Sequence, residues 1–450
     1  MKSRPNIILI MADQLRPDAI GKFTPNLMKL AEEGVRFTNA YCGSPLCQPS
    51  RNCIITGLPT SIHGVCGNQN DPVTDTLRGD TFMHHLRSSG WKTALIGKHH
   101  YIDRFGIGID VVDADQEAVE AYGFDHVTQA LDDGENMHNS DSYTRYLEET
   151  GKLEEFQEGF KNRGSYIHPF EPDESADGFI GNKGVEYVKN VDAGSPFYLN
   201  LSFIGPHPPY WHPGELKIDL SEVAPPLCGE DSPVVRERRA HYLQKCALID
   251  DYTGRLVEAL KDRDLYDNTL IIFTADHGDN LGDFDVWDKR HFYEQSAGVP
   301  LIMRGPGAPC MERKNGARLS RALVSQLDLY PTILAAAGVE APETFNRQGQ
   351  DILKMVRGES PLHKAVFAEL ATCVMIRSAM WKMVFDPEQG GVRYLFNMSA
   401  DPMETVNLAG RPEYDGVVKT LLEEILAWRI RNTQKTQIKE EQRLQSVRSG

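Results

Sequence analysis

The sequence predicts an α/β fold, with a mostly parallel sheet covered by helices on both faces and a smaller C-terminal antiparallel α+β subdomain. Three observations carry this. Short apolar runs alternate with helical patterns over the first three quarters of the chain, as strands and crossover helices of a parallel sheet do. After about residue 360 the apolar runs come at hairpin spacing instead. Four of the predicted strands end in metal-capable or cationic groups, and sites of parallel sheets gather beyond the carboxyl ends of their strands.

The first strand is Asn6–Ala12 (NIILIMA). A basic Met1-Lys2-Ser3-Arg4 precedes it, which imitates a secretory signal. The apolar stretch is too short and runs into Asp13-Gln14 without a small-residue cleavage site. A buried strand and a cytoplasmic protein are therefore expected. Thr24-Pro25 caps and opens a helix with Leu27, Leu30 and Ala31 on one face, stopped by Gly34. Pro49 and Ser50 suit the start of another helix. Phe82, Met83 and Leu86 mark a third, which ends near Gly90 and leads into a strand at Thr93–Ile96. The segment from about 103 to 190 is polar, acidic and Gly-rich, and reads as insertions over one end of the sheet. Pro196-Phe197 opens a strand running to Phe203. Leu243, Cys246, Ala247, Leu256, Val257 and Leu260 fit a long helix, and a turn at Asp267-Asn268 delivers Leu270–Thr274 (LIIFT). Ala365–Leu370, Val374–Ile376, Lys382–Phe385 and Tyr394–Phe396 then read as short strands, followed by one helix around 417–430. This organisation divides the chain into a main unit over 1–360, a small subdomain over 361–433 and a charged tail over 434–450. The tail is read as either a frayed helix or a segment docking on a second copy (a homo-oligomer), the solvated reading being favoured.

Of the 450 residues 48 are basic and 64 acidic, a net charge of −16, and 40% are hydrophobic. So acidic a surface repels nucleic acid and anionic membrane, and an anionic substrate must be held by a local cationic cluster. No apolar run approaches the ~20 residues of a membrane span. The eight cysteines include no Cys-x-x-Cys pair, and a chain this long needs no disulfide staples. Reduced thiols are expected, with Cys53 and Cys66 as small buried residues.

Asp13-Gln14 follow the first strand, and Lys98, His99 and His100 follow Thr93–Ile96 through Gly97. His207 lies past Phe203, in Gly205-Pro206-His207-Pro208-Pro209, and Asp276-His277-Gly278 follow LIIFT. At any one strand, polar residues simply begin where the strand stops. At all four, with this chemistry, convergence on one rim is the better reading. Cys47 stands just before the predicted helix start, where the helix dipole favours anions, with Arg51 in the first turn. Such a cysteine is either a low-pKa nucleophile or a small buried residue. Only three residues separate it from Arg51, which excludes the Cys-x5-Arg loop of thiol phosphatases. His63, Trp211 and His212 are candidates for the pocket wall by proximity in sequence, and His291 for a substrate contact. His99 reads as structural or peripheral.

Cys47-Gln48-Pro49-Ser50-Arg51 with Thr56-Gly57 resembles the Cys-x-Pro-Ser-Arg signature of the sulfatases of the alkaline phosphatase superfamily. The resemblance extends to Gly90…Gly97-Lys98-His99-His100, to Asn6–Gln14, to Thr274–Gly278 and to Lys289…Tyr293-Glu294. It closes with Leu395-Phe396-Asn397…Asp401-Pro402…Glu404…Asn407-Leu408, so it spans the chain in the family's order. Gln48, Trp91 and His99 depart from the residues usual there. The resemblance implies an alkaline-phosphatase-like fold and a Cys47 oxidised to formylglycine by a formylglycine-generating enzyme, its hydrate being the nucleophile. It implies a metal held by Asp13, Gln14, Asp276, His277 and the Cys47-derived hydrate. The oxygen donors favour Ca²⁺, and the imidazole keeps Mn²⁺ open. Lys98 and Lys289 would clamp the sulfate, Arg51 would support the hydrate, and Asp276 would take the proton of the attacking hydroxyl. His207 would protonate the leaving alcohol and His100 would deprotonate the second hydroxyl. The implied activity is hydrolysis of sulfate monoesters of a sugar or other small organic alcohol. Phosphonate monoester or phosphodiester hydrolysis, N-sulfamidase activity, and a non-catalytic metal- or anion-binding protein with an unconverted cysteine are the alternatives.

Overall fold

β1 (Asn6–Asp13) is buried along its whole length, which seven uncharged residues in succession require of a strand covered on both faces. It is an inner strand of an eight-stranded sheet. The others are β2 (Val35–Tyr41), β3 (Lys92–Gly97), β4 (His126–Gln129), β5 (Phe197–Pro206), β6 (Thr269–Ala275), β7 (Leu301–Arg304) and β8 (Leu319–Ser325). Their order across the sheet is β8-β2-β7-β6-β1-β5-β3-β4. All neighbours run parallel except β7, which is antiparallel to both β2 and β6. The computed structural model describes residues 4–448 apart from 69–72, 103–116, 132–140, 162–166, 169, 211, 309–318 and 341–343, and the side chains of 160, 161, 167, 168 and 433–448 are likewise left undescribed.

The helices α1 (Pro25–Glu33), α2 (Cys47–Thr56), α3 (Phe82–Ser88), α4 (Ser142–Glu149), α5 (Ala176–Asn190), α6 (Pro233–Asp262) and α7 (Leu329–Ala337) accompany the sheet. α2 begins at Cys47 itself, two residues before the predicted start. Pro49 is no obstacle there, because the first helical turn leaves its N–H groups without intrahelical partners anyway. The 103–190 segment also differs from expectation. Its described part is not only insertion: β4 pairs with β3 at the sheet edge, and α5 lies against β5 and α6. Gly181 and Gly184 allow that approach, since a Cβ on them would stand 2.3 Å from Tyr252 and 2.7 Å from Leu201. The strand was hidden in the sequence because β4 is an edge strand, with His126 exposed and no apolar run.

The C-terminal strands β9 (Ala365–Leu370), β10 (Cys373–Ser378), β11 (Trp381–Asp386) and β12 (Gly391–Asn397) form an antiparallel sheet in sequence order. One face, with Val366, Ala368, Met375 and Val384, joins the main core. The other, with Val374, Ile376, Met383 and Leu395, packs on Leu421, Ile425 and Trp428 of α8 (Asp415–Arg448). α8 is longer than the predicted helix, and the stretch read as a solvated tail continues it. No Gly or Pro interrupts 417–448, and most of its residues are good helix formers.

A buried ionic joint ties this sheet to the chain that follows Lys289. Lys382 of β11 lies 2.9 Å from Glu294 and 2.7 Å from Glu404, and Tyr41 donates to Glu294 at 2.9 Å. Burial, reinforced by Glu294 and opposed by Lys382, pushes the Glu404 carboxyl up to about 7.

All seven described cysteines are free, and Cys310 lies outside the described residues. Cys53 is buried as expected, whereas Cys66 is exposed, beyond the helical turn that ends at Gly64. Among the described residues no helix is long and apolar enough to cross a membrane.

Candidate active site

The ends of β1, β3, β5 and β6 bring their polar residues to one place, together with the start of α2. Asp13 ends β1, fully buried. Its Oδ2 lies 2.6 Å from Lys98 Nζ, beyond β3, and 3.1 Å from Arg51 of α2. Gly97 makes this approach possible, because β3 and β5 come so close that a Cβ there would meet Ser202 O at 1.9 Å. Arg51 has no exposed surface and every arm is engaged. It donates to Asp276 Oδ2 at 2.8 Å, to Asp13 at 3.1 Å, and to Lys98 O and Ser202 Oγ at 2.9 Å each. One guanidinium thus crosses between two carboxylates and fixes the geometry of three strand ends.

Cys47, in the first turn of α2, has its Sγ 3.1 Å from both His277 Nε2 and Lys289 Nζ, and 3.7 Å from Asp13 Oδ1. Burial and Asp13 push this thiol up, yet Lys289, His277 and Lys98 outweigh them and hold it well below the usual range. Cys47 is thus both buried and set among cations. Lys98, His207, Arg51 and Lys289 overcome burial and hold Asp13 low, while burial and the charge of Asp13 push Asp276 up. Two neighbouring carboxylates divide in this way, one held low and the other pushed up. Burial opposes a charge on His277, but Asp276 and the Cys47 sulfur push it up to about 9.

Gln14 follows in a left-handed conformation, φ 69°. Its Nε2 donates to Asp279 and Asp288 at 2.7 and 2.8 Å, and its Oε1 accepts from Lys289 Nζ at 3.0 Å. Lys289 also lies 2.7 Å from His207 Nε2. The predicted residues Asp13, Gln14, Cys47, Arg51, Lys98, His207, Asp276, His277 and Lys289 therefore form one connected cluster. His100 ends the Lys98 loop, half-buried with φ 48°, and its Nδ1 is buried with no hydrogen-bond partner among the described residues.

Other predicted residues stand apart. His63 turns to Cys53, 3.3 Å away, and His212 pairs with His241 at 2.6 Å. His99 accepts from Tyr101 N and packs on its ring. His291 stacks on Tyr293. Trp211 lies outside the described residues. Sequence reasoning missed Ser202, Asp279, Asp288 and Gln326. Gln326 receives Ser50 Oγ at 2.7 Å and donates to the carbonyls of Ala275 and Asp276, locking α2 to the end of β6. Position offered a signal for two of them, since Asp279 follows Asp276 by three residues and Asp288 adjoins Lys289.

Asp13, Cys47, Asp276 and His277 each offer one donor atom, all within 4.8 Å of one another and all buried. With Gln14 Oε1 beside them, this donor set fits a divalent cation.

A profile of the Sulfatase family matches residues 5–339, and one for N-sulphoglucosamine sulphohydrolase, C-terminal, matches 282–431. Choline-sulfatase of Rhizobium meliloti is 32% identical over 465 residues, covering 91% of this chain and 83% of that protein. Arylsulfatase of Clostridium perfringens is 26% identical over 469 residues, 94% of each. The solved phosphonate monoester hydrolase of Agrobacterium radiobacter superposes with a TM-score of 0.78 at 25% identity, covering 95% of this chain and 96% of that one.

Proposed function

This chain belongs to the sulfatase family and is a hydrolase of sulfate esters, and we propose that it cleaves sulfate monoesters of a small sugar or other small organic alcohol, using a formylglycine made from Cys47 and a divalent cation. The observation that carries this reading is the seat of Cys47, with Lys289 and His277 both 3.1 Å from its sulfur inside a buried Asp13–Asp276 pair. A thiol is smaller than the aldehyde hydrate that would replace it, and the sulfur here stands in for the two hydroxyl oxygens. Maturation requires an oxidising enzyme as a partner before the site closes over Cys47.

Asp13, Gln14, Asp276 and His277 would hold the cation, which supplies Lewis-acid polarisation of the sulfate oxygens. The oxygen donors favour Ca²⁺, and His277 keeps Mn²⁺ in contention. A formylglycine hydrate supplies one hydroxyl to bond to sulfur as the S–O(alkyl) bond breaks, and a second whose deprotonation re-forms the carbonyl as sulfate departs. The chain's own groups do the rest. Lys289 and Lys98 neutralise the sulfate oxygens, whose charge must be met inside a water-poor site. Asp276, already pushed up, is suited to accept the proton of the attacking hydroxyl. His207 delivers a proton to the leaving alkoxide, and His100 receives that of the second hydroxyl. Arg51 keeps Asp13 and Asp276 apart in role and in position.

A second reading, phosphonate monoester or phosphodiester hydrolysis, is favoured by the likeness to the Agrobacterium radiobacter enzyme. Turnover of a sulfate ester, a phosphonate monoester and a phosphodiester by the same preparation tests the choice. Preference for the sulfate ester is expected, and a phosphonate preference of orders of magnitude overturns it. Mass measurement of the Cys47 peptide is expected to find the loss that replacing CH₂–SH by an aldehyde entails. An unchanged thiol in an active preparation overturns the proposed nucleophile.

A further inference from the structure

We propose that Asp279 and Asp288 are positioning residues that orient the Gln14 amide, oxygen inward, and thereby set the strength with which the site holds a divalent cation. This rests on the reading of Gln14 as a ligand. The two hydrogens on Gln14 Nε2 have one carboxylate each, Asp279 Oδ2 at 2.7 Å and Asp288 Oδ1 at 2.8 Å. On the other side Lys289 donates to Oε1 at 3.0 Å. Turning the amide over would set its oxygen against two carboxylates and its NH₂ against an ammonium, so one orientation is enforced. Two anionic acceptors on the nitrogen also polarise the amide and enrich its oxygen in negative charge, which strengthens it as a ligand.

The two carboxylates are themselves held. Asp279 Oδ1 accepts from Leu281 N at 2.8 Å and Asp288 N at 3.1 Å, and its Oδ2 also accepts from Tyr210 Oη at 2.8 Å. The Asp288 carbonyl accepts from Asn280 N at 2.9 Å and from its side chain at 2.6 Å. The loop from 279 to 288 thus closes on itself, with Gln14 Nε2 held between its two carboxylates. Neither carboxylate is hydrogen-bonded to Cys47; Asp288 also faces the neighbouring Lys289 ammonium, and the Gln14→Ala background separates that charge effect from the one that passes through Gln14.

Asp288 has φ 68°, which glycine adopts without strain. Asp288→Gly therefore deletes the carboxylate while sparing the backbone, and Asp288→Asn keeps an acceptor oxygen. The test is calorimetric titration of the metal-stripped full-length chain with Ca²⁺ alone, repeated with Mn²⁺. Asp288→Gly should weaken binding on the order of 10-fold or more, and Asp288→Asn should recover it to within about 3-fold. In a Gln14→Ala background Asp288→Gly should add little further loss, because the residue it acts through is gone. Equal losses in the Gly and Asn variants would reduce Asp288 to a distant charge and overturn the proposal, as would additive losses in the Gln14→Ala background or a wild-type chain that binds neither ion. A chain that binds Ca²⁺ with the expected pattern yet turns over no sulfate ester leaves this assignment standing and defeats the proposed reaction instead.

Discussion

Lys289 Nζ lies 2.7 Å from His207 Nε2, so the ammonium that faces the Cys47 sulfur also caps the imidazole proposed to protonate the leaving group. Two cations cannot both stand at that separation without strong repulsion. The lysine is pushed up by Cys47, Asp13 and Asp288 against burial, so it keeps its proton and His207 presents Nε2 as the acceptor. In the proposed reaction, a sulfate that draws Lys289 toward its own oxygens would free that nitrogen to take up a proton from solvent, and only then can it pass one to the leaving alkoxide. Charge on the substrate and charge on the acid are thereby linked through one side chain.

His207→Ala should separate substrates by leaving group. Esters of ordinary alcohols should lose about 10²- to 10⁴-fold in kcat/KM, the usual worth of a positioned acid, while activated aryl sulfates should lose about 10-fold or less, since they depart unaided. Equal losses on both classes, measured with matched alkyl and nitroaryl esters, would assign His207 a structural task.

Cys47→Ala and Cys47→Ser should each lower turnover on the order of 10⁴-fold or more, as loss of a covalent nucleophile does. Thermal unfolding should move little, because Arg51, Asp13 and Asp276 keep their contacts with one another. Near-wild-type rates in either variant would remove Cys47 from the reaction.

Stripping divalent ions with a chelator should reduce turnover by at least about 100-fold, since a Lewis acid supplies several kcal/mol of transition-state stabilisation. Restoration by Ca²⁺ is expected. Full activity after chelation, with metal content checked by elemental analysis, would contradict the proposed ligand set.

Arg51→Met should destabilise the fold by about 3–5 kcal/mol, because it abandons Asp13 and Asp276 as uncompensated buried carboxylates. Denaturant unfolding measures this directly. A loss below about 1 kcal/mol would mean that Lys98 and His277 suffice to hold the pair.

Burial holds His63 down to about 3 in the folded protein, against about 6.5 unfolded. Below pH 6.5 the unfolded chain therefore takes up a proton that the folded chain refuses, and stability falls as pH falls. The benefit is complete above that value and erodes by about 1.4 kcal/mol per pH unit below it. His63→Gln should flatten the difference in unfolding free energy between pH 7 and pH 5, and an unaltered slope would show that other groups carry the acid sensitivity.

What the sequence disclosed was governed by periodicity and by position at strand ends. Asn6–Ala12 and LIIFT could be nothing but buried strands, so the residues just past them were legible as a site before any coordinates. β4 was not legible, since an edge strand needs no apolar run and its pairing with β3 is long-range. Asp279 and Asp288 were passed over because carboxylates in a polar loop are ordinary, and only the fold brings them to the Gln14 nitrogen, 265 and 274 residues away in sequence. Ser202 and Gln326 act through long-range hydrogen bonds that leave no pattern in the sequence. The length of α8 was underestimated for the opposite reason, since a polar surface all round disguises a helix as a tail.

The Lys382 joint has a bearing on how such enzymes can diversify. Glu294 lies five residues past Lys289, and its carboxylate is neutralised by a lysine from the far sheet, so the C-terminal portion is joined by a buried ion pair to the segment that carries Lys289. Exchanging that portion between relatives would leave an orphaned acid under the site unless the matching base travelled with it. Recombination at the boundary near 360 would therefore be expected to carry an electrostatic penalty wherever the two halves do not match.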